Sequence, residues 1–283
     1  MKFKKLIALI AIAVCPAAAA DIHMEKYPDG VWIMEDERKV FFYRTDGTTG
    51  PAKRAGRNHY IHPLMAPDGT TVLTGDSPGD HLHHRGIFWG WSEIFAGDKK
   101  VADGWLLHDI SWQIKSVTFD AQSDTLDIKV NWLTGKAEEA IIAEHMRVGI
   151  SETVGGVQKL VFDVNLKALV DGVSIAGVQN SKQYGGFSAR LINTRGITFE
   201  SDGNKLEPTK DFLEAGTSLN IKYSHSSGLP DVNITCEAEG KSINKWILRN
   251  SNSMQNCVWP GREHVALVKG EVTSLRASIT LSQ

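Results

Sequence analysis

The sequence predicts an all-β protein that folds as a large antiparallel β-sandwich. Short segments of alternating apolar and polar residues recur along the chain, and side chains in a β-strand alternate between two faces. Turn-forming pairs such as Asp46-Gly47, Gly155-Gly156 and Asp202-Gly203 separate these segments. Amphipathic helical patterns are few, and chains of many short strands with Gly-rich turns form sandwiches or barrels.

Seven segments have the strand pattern most clearly. They are residues 39–43, 59–65, 125–133, 140–150, 159–166, 219–223 and 232–237. Two further stretches could form short helices. Residues 134–143 fit a helix or a loop that enters a strand, and residues 210–215 would give little more than one turn.

Residues 1–20 have the layout of a secretory signal peptide, with a basic start, an apolar run and small residues before the expected cleavage site. The apolar run is too short to span a bilayer as a helix. We therefore expect cleavage after Ala20, a periplasmic or secreted location, and a single β-sandwich domain over residues 21–283. A lipid anchor on Cys15 is the alternative.

The charge balance bears on the kind of partner. Removal of the signal leaves 28 of the 31 basic residues against 33 acidic ones. This acidic balance gives no reason to expect nucleic acid or an anionic membrane as partner. No later segment is long and apolar enough for a membrane span, so we expect a small-molecule or oligosaccharide substrate. The oligomeric state stays open.

Two cysteines, Cys236 and Cys257, remain after signal cleavage. In an oxidising compartment they could form a disulfide bond. The alternative is a pair of buried free thiols. The sequence does not give their separation in space, so both arrangements stay open.

Five of the ten histidines fall between positions 59 and 84, and they are the main functional signal. Imidazole changes charge near neutral pH and is the commonest metal ligand. On an extended segment, His81 and His83 would share one face, and His84 would point the opposite way. His59 and His62 are three apart, so a straight strand brings at most one of them to the cluster.

Two kinds of chemistry fit this cluster. In the first, the histidines act as general acids or bases beside Arg85, which clamps a carboxylate or another anion. In the second, His81 and His83 bind a divalent metal together with a third donor such as Asp80. The spacing matches no established zinc signature. No cofactor is firmly implied, and a divalent metal stays open.

Trp89 and Trp91 follow the histidines directly and would share one face of a strand. Exposed tryptophans at this spacing form flat platforms on which sugar rings stack. The alternative is that both side chains belong to the core. Their position next to the histidine run favours the sugar-binding interpretation.

A third group of polar residues surrounds a Gly-Gly pair. Lys182, Tyr184 and Arg190 lie at even spacing and could line one side of a cleft, unless the two charged residues are simply solvated. Tyr184 could act as an acid or base only if Lys182 or Arg190 lowered its pKa. Gly185-Gly186 would allow a close approach of the backbone to a ligand.

The remaining motifs narrow the classes of enzyme. Glu144 and His145 are neighbours in a predicted strand and face opposite ways, so only one of them can enter a given cleft. The sequence has no G-x-S-x-G elbow, no P-loop and no H-E-x-x-H motif. These absences give no support for a serine hydrolase, an NTPase or a zincin.

Three segments, residues 57–69, 80–91 and 184–190, resemble a secreted bacterial family labelled "PmoA family" or "methane oxygenase PmoA". The most specific part of the resemblance is the run from His81 to Gly86. Members of that family accompany sugar oxidoreductases and glycan-degradation proteins, so the resemblance implies a carbohydrate context. The label refers to a polytopic membrane subunit, whereas this sequence has no later span. His59 stands where the family usually has proline.

These observations lead to one hypothesis and two alternatives. We expect a periplasmic carbohydrate-active enzyme that performs His-dependent proton transfer on a sugar or glycan fragment, as a lyase, hydratase or epimerase. Its sandwich would resemble the galactose-mutarotase or polysaccharide-lyase type. The alternatives are a non-catalytic carbohydrate-binding protein and a periplasmic metal-binding protein.

The hypothesis assigns a role to each candidate residue. His83 is the base or a metal ligand, His81 and His84 are its partners, Arg85 is the anion clamp, His62 is a second acid or base, Tyr184 and Lys182 form the opposite wall, and Trp89, Trp91 and Arg190 bind substrate.

Overall fold

The computed structural model of the chain describes residues 19–46, 57–76, 81–135, 138–192, 196–250 and 254–283. In these ranges nearly all regular structure is β, and the one helical element is a short 3-10 turn at His225–Ser227. The prediction of an all-β antiparallel fold is confirmed. The predicted signal peptide lies outside the described residues except for Ala19 and Ala20, so it stays a prediction. In the described part of the chain, no helix is long and apolar enough to cross a bilayer.

The first sheet has nine strands, and every neighbouring pair is antiparallel. With strand numbers in chain order, the sequence across the sheet is β1 (Ile22–Tyr27), β2 (Gly30–Glu35), β3 (Arg38–Arg44), β4 (Tyr60–Leu64), β5 (Ile87–Trp91), β13 (Gly185–Arg190), β21 (Met254–Cys257), β20 (Lys245–Ile247) and β16 (Leu213–Glu214). The pairing of β5 with β13 joins the segment after the histidines to the Gly-Gly segment, with Trp89 opposite Phe187.

The second sheet has ten strands and packs on the first. Across this sheet the strands are β15 (Asn204–Leu206), β14 (Thr198–Ser201), β17 (Ser218–Lys222), β18 (Asp231–Ala238), β23 (Thr273–Ser282), β11 (Val157–Ala168), β10 (Glu139–Ile150), β9 (Thr125–Thr134) and β8 (Ile110–Asp120), with β19 (Lys241–Ser242) beside β18. Every second residue of β18 is buried, because one face of the sheet meets the core and the other meets solvent.

A third, smaller sheet contains four antiparallel strands. In order they are β22 (Val265–Ala266), β12 (Val173–Ala176), β6 (Glu93–Ala96) and β7 (Lys99–Ala102). Ile94 and Ile175, on the paired strands β6 and β12, are fully buried in the same core as the two large sheets.

The two large sheets are joined by apolar packing and by a covalent bond. The rings of Trp91 on β5 and Trp132 on β9 lie with centroids 5.8 Å apart. Cys236 on β18 forms a disulfide bond with Cys257 on β21, and the two Cα atoms are 6.6 Å apart. Of the two arrangements that the sequence left open, the disulfide is the one present, and it links the two sheets.

A buried polar network also crosses between the sheets. The Glu144 carboxylate on β10 accepts a hydrogen bond from His59 Nε2 at 3.0 Å, and His59 Nδ1 lies 2.8 Å from the Tyr43 hydroxyl. All three side chains are buried. Glu144 points into the core, while His145 Nε2 forms a hydrogen bond with the Asp127 carboxylate on the outer face. The prediction that these two neighbours face opposite ways is confirmed.

The seven predicted strands are all present as β3, β4, β9, β10, β11, β17 and β18, with ends within two residues of the prediction. The helical option fails in both places. Within 134–143, β9 ends at Thr134 and β10 begins at Glu139, and residues 210–215 contain the short strand β16. The strand pairing in each sheet satisfies backbone groups that an isolated short helix would leave to solvent.

Candidate functional site

A cleft of about 290 Å³ brings together residues from four separate parts of the chain. This volume lies at the small end of the range for small-molecule sites. Its lining residues are His81, His83, His84, Trp105, Leu106, Lys182, Tyr184, Ile247, Arg249, Met254 and Asn256. Five of the ten predicted site residues are among them.

The three neighbouring histidines converge because residues 81–84 form a turn, which we call the histidine turn. The backbone N–H of His84 donates to the carbonyl oxygen of His81 at 2.9 Å. The ring centroids of His81 and His83 lie 5.6 Å apart, and the ring of His84 lies 4.8 Å and 4.4 Å from them. The prediction that His84 faces away from the other two is therefore wrong, because alternation holds only in extended backbone.

Gly86 allows the histidine turn to lie directly against β4. Its φ is +31°, and a Cβ atom at this position would be 1.8 Å from the carbonyl oxygen of Ile61 and 2.9 Å from Cβ of His62. Only glycine tolerates such contact and such a backbone angle without strain. Any side chain at position 86 would displace the turn from the strand.

Arg85 supports the histidine turn from the interior. Its side chain is fully buried, and Nη1 donates to the carbonyl oxygen of His83 at 3.1 Å. The guanidinium packs over the rings of Phe88 and Trp112, 4.1 and 5.2 Å from their centroids. Burial, helped by the charge of Arg57, lowers the pKa of Arg85 to about 9, so it stays a cation at neutral pH. Because it does not line the cleft, the expectation that it clamps an anion there is wrong.

Trp89 and Trp91 lie in the core and not on a binding surface. They share one face of β5, as alternation predicts, and their rings stack 6.2 Å apart at 22°. That face is the inner one. Trp91 is fully buried, and its Nε1 donates to the carbonyl oxygen of Trp259 at 2.8 Å. The prediction of a sugar-stacking platform is therefore wrong for both tryptophans, since neither exposes a ring face.

Lys182 and Tyr184, from the loop before β13, line the cleft together with the histidine turn. The ring of Tyr184 packs on Trp105, with centroids 4.5 Å apart. Burial raises the pKa of Tyr184, and the charge of Asp103 adds to the effect. The condition set for Tyr184, a lowered pKa, is not met. It carries a neutral hydroxyl, which has a proton to donate in a hydrogen bond.

Arg190 contacts the cleft through His84. Its Nη1 lies 2.8 Å from His84 Nδ1. A guanidinium has donors and no acceptor, so His84 Nδ1 accepts this hydrogen bond and carries no proton. The proton of the neutral His84 ring is therefore on Nε2. Arg190 is not a lining residue, and the geometry makes it a positioning group for an imidazole where the sequence predicted direct substrate binding.

His62 and His59 do not reach the cleft. His62 Nδ1 lies 3.0 Å from the Thr74 hydroxyl. Burial lowers the pKa of His62 to about 4, with smaller contributions from the charges of Arg44 and Arg57, so its ring is neutral at neutral pH. His59 lies in the core. The two ends of the predicted cluster thus separate from the histidine turn.

A metal site receives no support from the donor set in the described ranges. There, no group of three or more His, Cys, Asp or Glu side chains is placed to hold a metal ion. His81 and His83, the predicted ligand pair, do lie side by side. Asp80, the proposed third donor, lies outside the described residues.

Six lining residues were not indicated by the sequence, and Trp105, Arg249 and Asn256 are the ones whose side chains carry a polar group. Arg249 donates to three backbone carbonyl oxygens at 2.6–2.8 Å. The buried Asn256 amide accepts from the backbone N–H of Gly185 at 3.2 Å and donates to the carbonyl of Phe187 at 2.9 Å. No spacing motif connects these positions, because they come from different strands and loops.

Comparison with solved structures found 28 similar chains, and two of them share less than 10% sequence identity with this chain. One is a "putative kojibiose phosphorylase from human microbiome", 9% identical with a TM-score of 0.38, in which 93% of this chain aligns with 29% of that chain. The other is a "putative mutarotase (YeaD)" from Salmonella typhimurium, 8% identical with a TM-score of 0.36, in which 93% of this chain aligns with 94% of that chain. Similarities with TM-scores this low do not support any inference about the function of this chain. No curated protein matches the chain.

The family comparison covers most of the chain. Residues 31–283 match a family described as "Family of unknown function (DUF6807)". The match includes the histidine turn and every lining residue of the cleft. The PmoA label is not part of that description and stays a prediction. The chain therefore belongs to the DUF6807 family of unknown function.

Proposed function

We propose that this protein is a carbohydrate-active enzyme that moves a proton at a carbon atom of a sugar or glycan fragment. The class covers lyases, hydratases and epimerases, which share removal of a hydrogen next to a carbonyl or carboxylate group. We further propose that it works outside the cytoplasm, after removal of residues 1–20.

The observation that carries the proposal is the convergence of three imidazoles on one cleft. The centroid distances of 4.4–5.6 Å put the His81, His83 and His84 rings in mutual contact. Lys182 and Tyr184 line the same cleft. Imidazole is the commonest general acid or base near neutral pH, and three in contact supply groups for both taking and returning a proton.

Each lining group has a role in the proposed step. His83 removes the proton from carbon, and the electron pair left behind moves onto the neighbouring carbonyl or carboxylate oxygen. His84 donates its Nε2–H to that oxygen, and the Lys182 ammonium offsets the developing negative charge. The Tyr184 hydroxyl forms a hydrogen bond to the substrate, and His81 then protonates the departing hydroxyl or, in an epimerase, the opposite face of the carbon.

The non-catalytic sugar-binding alternative has lost its main support. It depended on an exposed Trp89–Trp91 platform, and both rings are buried. A binding module also has no need for three adjoining imidazoles. We therefore retain the enzyme as the proposed function and use the experiment below to separate it from binding alone.

Isotope exchange detects proton abstraction even when the net reaction is unknown. The purified protein is incubated in D₂O with uronic acids, keto-sugars and their oligosaccharides, and loss of each C–H signal is followed by proton NMR. We expect exchange at one carbon of one substrate. His83→Ala should slow the exchange by about 100-fold or more, the usual contribution of a general base.

The matched control is His225→Ala, which removes an exposed histidine in the 3-10 turn and should leave exchange unchanged. Equal exchange rates in both variants would contradict the role of His83. Binding of a sugar that never exchanges, in the wild type as well as in the variants, would instead favour the non-catalytic protein.

A further inference from the structure

We infer that the ligand of the cleft is an acidic sugar, and specifically one that carries a carboxylate. This inference rests on the proposed function, since it names the substrate class of the same site. It comes from the signs of the charges around the cleft, of which the proton-transfer argument uses only the Lys182 ammonium.

Among the described residues, the charged side chains that line the cleft are all cations. Lys182 and Arg249 are its charged residues, and none of the eleven lining residues is Asp or Glu. Among the described residues, no carboxylate forms an ion pair with either cation. A cleft lined by one sign of charge concentrates ligands of the opposite sign.

The partners of Arg249 leave its charge in place. Its guanidinium donates to three backbone carbonyl oxygens, which fix its position and are neutral. Asp211 is the acidic group that acts on Arg249, and it does not line the cleft. The Asp211 carboxylate accepts a hydrogen bond from the Ser181 hydroxyl at 2.5 Å. The positive charge facing the cleft is therefore only partly offset.

The histidine turn adds a hydrogen-bond donor that suits an anionic ligand. Arg190 holds His84 with its proton on Nε2, so the neutral ring acts toward a ligand as a hydrogen-bond donor. The Tyr184 hydroxyl is also a donor. A carboxylate has only acceptor atoms when ionised, so it can use ammonium, imidazole and hydroxyl donors together.

In the proposed chemistry, the carboxylate of the ligand would also make the neighbouring C–H bond more acidic. A C–H bond next to a carboxylate is acidified when a cation and hydrogen-bond donors stabilise the dianion that forms on proton removal. Lys182 is the lining cation that no ion pair or backbone carbonyl occupies in the described residues, and it serves this need directly. A neutral sugar could accept hydrogen bonds from these donors through its hydroxyl oxygens, but it has no negative charge to pair with Lys182.

Calorimetry on matched sugar pairs tests the inference. Galacturonate is compared with galactose and glucuronate with glucose, with glucose 6-phosphate as a second kind of anion. We expect the uronate of at least one pair to bind about tenfold or more tighter than its neutral partner, since hydrogen bonds to charged groups contribute on the order of 1.5–3 kcal/mol. Lys182→Met should weaken binding of the uronate about tenfold or more, so that the preference for the uronate over its neutral partner is lost.

Lys129→Met is the control, because it removes an exposed ammonium from the outer face of β9 and changes the net charge equally. Equal affinity for uronate and neutral sugar would overturn the inference and leave the proposed function intact. A preference for the phosphate ester over both uronates would also overturn it. Absence of binding by every sugar, together with absence of deuterium exchange, would overturn the proposed function as well.

Discussion

Histidines in two regions of this protein, the core and the histidine turn, have opposite surroundings. In the core, His59 lies between the Tyr43 hydroxyl and the Glu144 carboxylate, and all three side chains are buried. In the histidine turn, His84 lies beside His81 and His83, and its named hydrogen-bond partner is the cation Arg190. The first group connects two sheets, whereas the second lines a cleft.

The difference lies in the sign of the partner. A carboxylate accepts, so the contact with Glu144 requires a proton on His59 Nε2. A guanidinium donates, so the contact with Arg190 requires a bare Nδ1 on His84. Histidine therefore has a structural role in the core, where its Nε2 proton is bound by a carboxylate. In the histidine turn, the Nε2 proton of His84 is oriented as a hydrogen-bond donor. Histidine density in a sequence does not separate these cases.

The largest loss of stability should come from breaking the buried hydrogen bonds among Tyr43, His59 and Glu144, which we call the core group. Glu144 also accepts from Trp132 Nε1 at 2.7 Å, so Glu144→Ala leaves two buried donors without their acceptor. Removal of one member of a buried pair costs about 3–5 kcal/mol. For a protein of this size that corresponds to a fall in Tm on the order of 10 °C, measurable by calorimetry.

The outer face offers a matched contact for comparison. His145 and Asp127 lie 2.6 Å apart in a half-exposed pair. Asp127→Ala should cost only about 0–1 kcal/mol, because solvent screens exposed pairs. If Asp127→Ala and Glu144→Ala destabilise the protein equally, burial is not what distinguishes the core group.

The second-largest loss of stability should come from removing the disulfide bond, which links the core to a strand that lines the cleft. Cys257 lies next to the lining residue Asn256 and is bonded to Cys236, 21 residues earlier in the chain. Closure of a loop of this length stabilises a fold by about 3 kcal/mol, so the double replacement Cys236→Ser with Cys257→Ser should lower the free energy of unfolding by that amount. Denaturant titration measures it.

Reductant provides the control for this prediction. It should shift the denaturation midpoint of the wild type toward that of the double variant and leave the variant itself unchanged. A wild-type midpoint that does not move under full reduction would contradict a stabilising role for the disulfide.

The strands could be predicted from the sequence because alternation is a local property. In β11 and β18 every second residue faces the core, so the pattern is visible without knowledge of the partner strands. The pairing order could not be predicted in the same way. One neighbour of β5 is β13, nearly 100 residues later, and hydrogen bonding between such distant segments leaves no local signal.

The site was predictable only in part, for a physical reason. The histidines and the Lys182–Tyr184 segment were identified by residue type and spacing, and they line the same cleft. Their orientation was not, because a turn replaced the assumed strand at residues 81–84. Alternation correctly placed Trp89 and Trp91 on one face, but it cannot tell the inner face of a sheet from an outer binding face.

The smallest effect should come from removing the charge of Arg190, which contacts His84. This change tests the comparison of the two histidine regions most directly. In the wild type, ¹⁵N NMR of labelled histidine should show His84 with its proton on Nε2. Arg190→Met removes the donor to Nδ1, so the population of the other tautomer should rise. The rate of the proposed proton transfer should fall about five- to tenfold, as expected from the loss of a hydrogen bond worth on the order of 1 kcal/mol.

Arg190→Lys should restore the tautomer in large part, because lysine is also a donor and a cation. Arg276→Met, which removes an exposed arginine on β23, should leave the His84 signals unchanged. The His59 signals should stay constant in every one of these variants, since the acceptor that holds its Nε2 proton is Glu144 and lies in the core. If His84 keeps the same tautomer in Arg190→Met, then the cation does not set the proton position. The histidine turn would in that case resemble the core group, as a set of contacts fixed by packing alone.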